Sequence, residues 1–189
     1  MRKYAEKWNN KLHIDYDLSQ WSSVFKVPFS CTNKTDTKLR WFQFRLIHRI
    51  LGTNLFLFKI NKADSNTCTF CKTEEESLIH LFCSCTYSGN FWSSLVSWIK
   101  DKTHISLHLD NQTILFGNIN FTSDCLNLIL LCARFHIYKT KMNNKFPSIL
   151  VFKKEVKQHY LCEKYLSIVT CENRRFSLKW DFYSKLFQE

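Results

Sequence analysis

Apolar residues along the chain recur mainly three or four positions apart, the spacing of helices, and seldom alternate as strands require. Lys3 to Leu12 forms a short amphipathic stretch, and between Asp17 and Val27 the residues Leu18, Trp21, Val24 and Phe25 repeat at helical spacing. Pro28, which has no N–H to give, is expected to end that second helix. The loop PFSCTNKTDTK follows, rich in capping and turning residues, with Thr35 or Asp36 placed to start the next helix. That third helix is expected over Lys38 to Leu51. At ~100° per residue, Leu39, Phe42, Leu46, Ile47 and Ile50 fall on one broad face with Phe44 and Leu51 at its margin, while Lys38, Trp41, Arg45, His48 and Arg49 gather opposite.

Gly52, Thr53 and Asn54 break the pattern, and LFLFKINK resumes it as a short helix carrying Lys59 and Lys62. Beyond residue 86, SGNFWSSLVSWIKDK reads as an aromatic helix, with Phe91, Trp92, Leu95, Val96 and Trp98 expected in the core. His104 to Asn120 is less regular, and SLHLD has the look of a short extended piece. A strongly apolar helix then runs from about Ser123 to Met142 and ends in a basic turn of Arg134, His136, Lys139 and Lys141. After Pro147, SILVFKKEVKQHYLCEKYLSI and the tail ENRRFSLKWDFYSKLFQE interleave basic and aromatic residues. Lys153, Lys154, Lys157, Lys164, Arg174, Arg175 and Lys179 stand there as a second set of possible phosphate contacts.

Composition supports a helical reading. Three Gly and two Pro cannot supply the turns of a many-stranded sandwich or barrel, and 45% hydrophobic content is ample for a core. The expected fold is mainly α: an irregular helical domain with one CCHC zinc knuckle and room for one short extended segment. The expected division is 1–35 for amino-terminal helices and linker, 36–103 for helix plus zinc module, and 104–189 for a carboxyl-terminal helical tail.

Charge narrows the partners. With 27 Lys and Arg against 16 Asp and Glu, the chain carries +11, which draws phosphate-rich partners by releasing condensed counterions. No membrane span is expected, because the longest apolar run, Leu126 to Tyr138, is interrupted by Asn127, Arg134 and His136. The first residues, MRKYAEKWNNKL, lack the apolar stretch of a secretory signal, so the expected location is the cytosol or nucleus. Thiols there act as metal ligands or core fillers rather than disulfides. Cys31, Cys125, Cys132, Cys162 and Cys171 are scattered and read as core fillers.

The remaining four cysteines lie within CTFCKTEEESLIHLFCSC, residues 68 to 85. Cys68 and Cys71 form a tight C-x2-C turn that can present two thiolates to one ion. Thr73 is placed to cap a helix with Glu74 to Glu76 in its first turn, and His80 lies on that helix. Spacing leaves the fourth ligand open between Cys83, which shares a helical face with His80, and Cys85, reached where the helix ends. Four protein ligands leave no position for an activated water, so the expected Zn2+ is structural. The His-x-Glu and Pro-Cys-x-x-Cys pair of a zinc deaminase is missing.

The stretch WFQFRLIHRILGTNLFLFKINKADSNTCTFCKTEEESLIHLFCSCTYSGNFW resembles the carboxyl-terminal zinc-binding segment of reverse transcriptases from LINE-type, non-LTR retrotransposons. The family's Phe-x-hydrophobic-hydrophobic-His-Arg matches Phe44 to Arg49, its Cys-x-x-Cys matches Cys68 and Cys71, and its Ile-Glu-His-Leu-Phe matches Leu78 to Phe82. Its last Cys and Phe-Trp match Cys85, Phe91 and Trp92. The resemblance is specific over residues 38 to 98 and looser on both sides. It implies Cys68, Cys71, His80 and Cys85 as the zinc ligands, and it makes Ile79, where the family has Glu, a solvent-facing difference.

The resemblance implies a grip on element RNA, or on RNA and DNA near the nick, during target-primed reverse transcription, beside the rest of the polymerase if the chain belongs to a longer one. No Asp-Asp pair of a polymerase palm is present, so no enzyme activity is expected. The face of Lys38, Trp41, Arg45, His48 and Arg49 is the candidate nucleic-acid surface, cations for phosphates and an indole for stacking. An ordinary solvated helix face is the competing reading. At the level of the chain, the alternatives are a zinc-stapled protein-interaction domain or a retrotransposon-derived fragment without function.

Overall fold

The computed structural model describes residues 2–33, 36–119 and 123–187. Its helices are α1 (Arg2–Leu12), α2 (Leu18–Cys31), α3 (Thr37–Ile47), α4 (Asn54–Lys59), α5 (Thr86–Thr103), α6 (Asn111–Phe116), α7 (Asp124–Met142), α8 (Ile149–Val169) and α9 (Asn173–Trp180). A single π turn, His80–Ser84, precedes α5, and a 3₁₀ turn, Phe182–Phe187, closes the chain. The fold is mainly α. Among the described residues no strand forms, and the only β pairing is an isolated antiparallel bridge between Thr67 and Glu75. Residues 104–110 are irregular, and Leu107 and Leu109 turn toward the core while Ser106 and His108 face out. That alternation is the two-residue period of extended chain, without a partner strand to pair it.

α7 is the axis of the molecule. Cys125 through Arg134 are buried without interruption, the signature of a helix covered on all sides. α2 and α3 pack on it from the amino-terminal half, and α6, α8 and α9 from the carboxyl-terminal half. The basic turn expected at its end is therefore mostly interior: Arg134, His136 and Lys141 are buried, and only Lys139 stays half exposed. Arg134 is accommodated by acceptors rather than by a carboxylate. Its Nε donates to Oε1 of Gln43 at 3.1 Å and its Nη1 to the Ile114 carbonyl at 3.1 Å. Gln43 in turn donates to the Leu115 carbonyl at 2.9 Å, so one polar thread ties α3, α6 and α7. Burial lowers the guanidinium's pKa to about 10.

Two helix ends depart from expectation. Pro28 does not stop α2, which continues to Cys31. A proline removes one hydrogen bond to the carbonyl four residues back, but Val27, Pro28 and Cys31 are all buried where α2 meets α7, and that burial offsets the missing bond. α3 stops at Ile47 rather than Leu51, because Arg49 adopts a left-handed backbone, φ 59°. The Arg49 N–H donates to Leu46 O at 2.9 Å and the Ile50 N–H to Arg45 O at 3.0 Å, the paired bonds of a Schellman motif. The turn reverses two assignments: Ile50 points outward and Leu51 is fully buried. Of the two candidate caps, Asp36 occupies the N-cap position without a side-chain capping bond, and Thr35 lies outside the described residues.

Remaining contacts fix the amino-terminal helices to this frame. Trp8 donates its indole N–H to the Ile47 carbonyl at 2.8 Å, and Trp21 donates to Asn9 Oδ1 at 3.0 Å, so α1 is held by α2 and by the end of α3. Phe91, Trp92, Leu95 and Trp98 are buried in α5, and Val96 is half buried. Cys31, Cys125 and Cys132 are core residues as expected, whereas Cys162 and Cys171 are exposed. The first of these two lies on the outer side of α8, and the second in the left-handed turn before α9, where no core is near enough to bury them.

Candidate metal centre and nucleic-acid face

The cysteine-rich segment folds around its own backbone bonds before any helix begins. The Cys68 N–H donates to Glu74 O at 2.7 Å, the Lys72 N–H to Cys68 O at 3.1 Å, and Lys72 takes a left-handed backbone, φ 60°, so Cys68 to Glu74 forms a tight knuckle. The Phe70 N–H points at the Cys68 sulfur at 3.4 Å. Thr73 does not cap a helix; its hydroxyl faces the Cys71 sulfur at 3.3 Å. Ser77 takes the capping position instead, its Oγ accepting from the His80 N–H at 3.0 Å. The acidic run is thus knuckle and bridge rather than the first turn of a helix.

Cys68, Cys71, His80 and Cys85 converge, each offering one ligand atom, with all four atoms within 4.8 Å of one another. The sulfurs of Cys68 and Cys85 lie 3.9 Å apart, and Cys71 Sγ lies 3.3 Å from Nε2 of His80. A tetrahedron with metal–sulfur bonds of ~2.3 Å separates sulfurs by about 3.8 Å, and a disulfide needs about 2 Å, so the spacing fits a shared ion and not a bridge. The π turn explains how Cys85 arrives. The Cys85 N–H donates five residues back to His80 O at 2.8 Å, and this wider loop brings position 85 to the side of His80. Cys83 is left outside the cluster, and burial pushes its thiol up to about 12.

The surroundings suit a cation. Burial pushes the Cys68 thiol up to about 12 against opposing backbone N–H groups. At Cys71 a small burial effect in the same direction is outweighed by hydrogen bonds from Thr73, the Glu74 N–H and His80, which bring the thiol down to about 6. An ion bound there favours the thiolate of both. Nδ1 of His80 is buried and makes no well-aligned hydrogen bond, but a Glu74 carboxylate oxygen stands 3.1 Å away. That juxtaposition is the carboxylate–histidine arrangement which orients a ligating imidazole. Three thiols and one imidazole are zinc's preferred donors, and a closed set of four supplies folding energy rather than a reactive water. Zinc suits this donor set, and the cluster can hold it.

Beneath the cluster sits a residue the sequence reading missed. Glu76 is fully buried; Oε1 accepts from the Asn54 N–H at 2.8 Å, Oε2 accepts from the Thr69 N–H at 2.8 Å, and Lys141 Nζ stands 3.3 Å away. Lys141 also donates to Gly52 O at 2.9 Å. One carboxylate therefore ties the knuckle to α4 and to the end of α7. On the other side Trp92 donates to Phe82 O at 2.8 Å, seating α5 on the segment. Ile79 is half buried and packs toward the core, so it is not the solvent-facing substitution expected.

The five residues of the expected nucleic-acid face separate into two groups. Lys38, Trp41 and Arg45 are exposed along α3, Trp41 to 61%, and neither cation has an ion-pair partner among the described residues. Phe44, also exposed, meets Trp41 edge-on at 5.3 Å. His48 is half buried, stacked on Phe44 at 3.9 Å with Tyr4 against it at 4.5 Å. Arg49 is turned away by its left-handed backbone, and its guanidinium lies over the Trp8 ring at 5.2 Å. In the second candidate set, Lys179 is spent on Glu163 at 2.8 Å, while Lys154, Lys157, Lys164, Arg174 and Arg175 are exposed.

No helix among the described residues is long and apolar enough to cross a membrane. No curated protein matches the chain in sequence. Residues 8–92, which hold the end of α1, α2 to α4, the knuckle, the four converging ligands and the start of α5, match the family model described as zinc-binding in reverse transcriptase.

Proposed function

We propose that the chain is a nucleic-acid-binding module, with RNA as its main partner, in which zinc held by Cys68, Cys71, His80 and Cys85 is structural. It resembles the carboxyl-terminal segment of a non-LTR retrotransposon reverse transcriptase and carries the zinc-binding part of such a protein rather than its polymerising part. One observation carries the reading: an exposed Trp41 stands between Lys38 and Arg45 on one face of α3, with no carboxylate to neutralise either cation among the described residues. Cations beside an exposed aromatic ring are how sequence-tolerant strands are held, by phosphate contact and base stacking. The net charge of +11 works in the same direction.

The test is affinity for single-stranded RNA across a salt series. Trp41→Ala is expected to weaken binding by roughly 1–3 kcal/mol, the range for loss of one stacked base. Lys38→Glu with Arg45→Glu is expected to weaken it further and to flatten the salt dependence, with zinc content and helicity unchanged. Wild-type affinity in both variants at low salt sinks the proposal. The protein-interaction reading has its own observation, the exposed Leu161, Tyr165, Ile168 and Val169 along α8. A partner held there binds with little salt dependence, and the same series separates the two readings.

A further inference from the structure

The Schellman turn that removes Arg49 from the face of α3 brings it to a cleft between α1, α4 and the zinc segment. Three cations border this cleft from three separate stretches of chain: Lys11 at the end of α1, Arg49 after α3 and Lys59 at the end of α4. Among the described residues no acidic one lines it. Elsewhere three lysines are paired with carboxylates, Lys139 with Glu155, Lys141 with Glu76 and Lys179 with Glu163. At the cleft, none of the three cations has an ion-pair partner among the described residues. Arg49 makes one long hydrogen bond, to Lys7 O at 3.5 Å, which leaves most of its five N–H donors free.

Three unneutralised charges gathered at one concavity repel each other unless an anion joins them. The floor between them is apolar, made by Leu55, Phe56, Leu78 and Ile79, with the Trp8 ring on one wall. The space is about 120 Å³. That admits a phosphate with the sugar beside it and excludes a duplex. Inorganic anions have no use for the floor, and a free apolar ligand has no use for the cations; a phosphate ester uses both.

We propose that this cleft is a subsite for one nucleotide of a single strand, its sugar resting on the apolar floor and its flanking phosphates held at the rim by Lys11, Arg49 and Lys59. The proposal rests on the nucleic-acid reading above and places a second binding point apart from the exposed face of α3. It also gives the zinc a further use, because Ser77, Leu78 and Ile79, the residues that form one side of the cleft, directly precede the ligand His80.

The experiment uses the full chain with zinc bound, a labelled single-stranded RNA of about twelve nucleotides as probe, and the double variant Lys11→Gln with Lys59→Gln. Both side chains are exposed, so zinc content and helicity are expected to stay at wild-type values. Affinity is expected to fall roughly fivefold for each phosphate no longer neutralised at about 0.1 M salt, and the log–log salt slope to become shallower by roughly 0.7 per phosphate. Adenosine monophosphate is expected to shift the Trp8 indole N–H resonance in the wild type and not in the variant, and to bind far more weakly than the strand. A variant with wild-type affinity and slope overturns the cleft and leaves the α3 face standing, whereas a wild type that binds no RNA overturns the broader reading. A mononucleotide as tight as the strand, or vesicles of phosphatidylserine bound in preference to it, also overturns the proposal by naming another source of the phosphate.

Discussion

Glu76 shows how much one side chain decides in this segment. Its carboxylate is fully buried and satisfies two backbone N–H groups from two different stretches, while Lys141 approaches from α7. Removing one member of a buried charged pair leaves the other without compensation, which typically costs about 3–5 kcal/mol. Glu76→Ala is therefore expected to destabilise the protein by roughly that amount in urea unfolding. Glu76→Gln with Lys141→Met is expected to recover part of it, because both charges then leave together. A loss below about 1 kcal/mol for Glu76→Ala refutes the assignment of this residue as the tie between knuckle and α7. Nothing in EEES distinguishes it from its neighbours. Glu75 and Glu76 point to opposite sides because of the bridge between Thr67 and Glu75, a pairing across the knuckle that no local pattern announces. Arg134 escaped for the same reason: on a helix covered all round, a cation is read as surface until the acceptors from α3 and α6 are in place.

At the scale of elements, helices were legible wherever an apolar stripe ran for three turns or more, as in α2, α5, α7 and α8, since period alone signals burial. Their ends were not. α2 runs through Pro28 because its last turn is buried against α7, and α3 stops early because a non-glycine residue accepts a left-handed backbone. Both outcomes belong to tertiary packing, which propensity does not contain. The π turn is the sharpest case. An ordinary helix sets Cys83 on the face of His80, and the extra residue in the turn brings in Cys85. Cys85→Ser is therefore expected to lower bound zinc well below one per chain and to melt the segment, while Cys83→Ser keeps it near one. Native mass spectrometry reads the stoichiometry directly. Equal retention of zinc by the two variants contradicts the geometry, and loss in Cys83→Ser alone exchanges the ligands.

At the scale of the whole molecule, two carboxylates of the carboxyl-terminal half, Glu155 and Glu163, are spent on joining one helix to the next. Glu163 faces Lys179 and the Trp180 indole, and Glu155 joins α8 to α7 through His136 at 2.9 Å and through Lys139. Glu155 carries a consequence that can be measured. Burial alone raises its carboxyl, but hydrogen bonds and charge from His136 and Lys139 outweigh this and hold it below the ordinary carboxylate value of 4.5. A carboxyl depressed in the folded state contributes stability that is complete above its unfolded pKa and disappears as pH falls through the folded one. Charge-assisted bonds of this kind contribute on the order of 1 kcal/mol once solvent screening of a partly exposed carboxylate is allowed for. Glu155→Gln is thus expected to be less stable than wild type by about that amount near neutral pH, with the gap constant down to about pH 6 and closing below about pH 4. Acid also protonates the zinc ligands, but it does so equally in both proteins, so the difference between their unfolding free energies isolates Glu155. A gap that stays open at low pH shows that the loss comes from packing and not from charge.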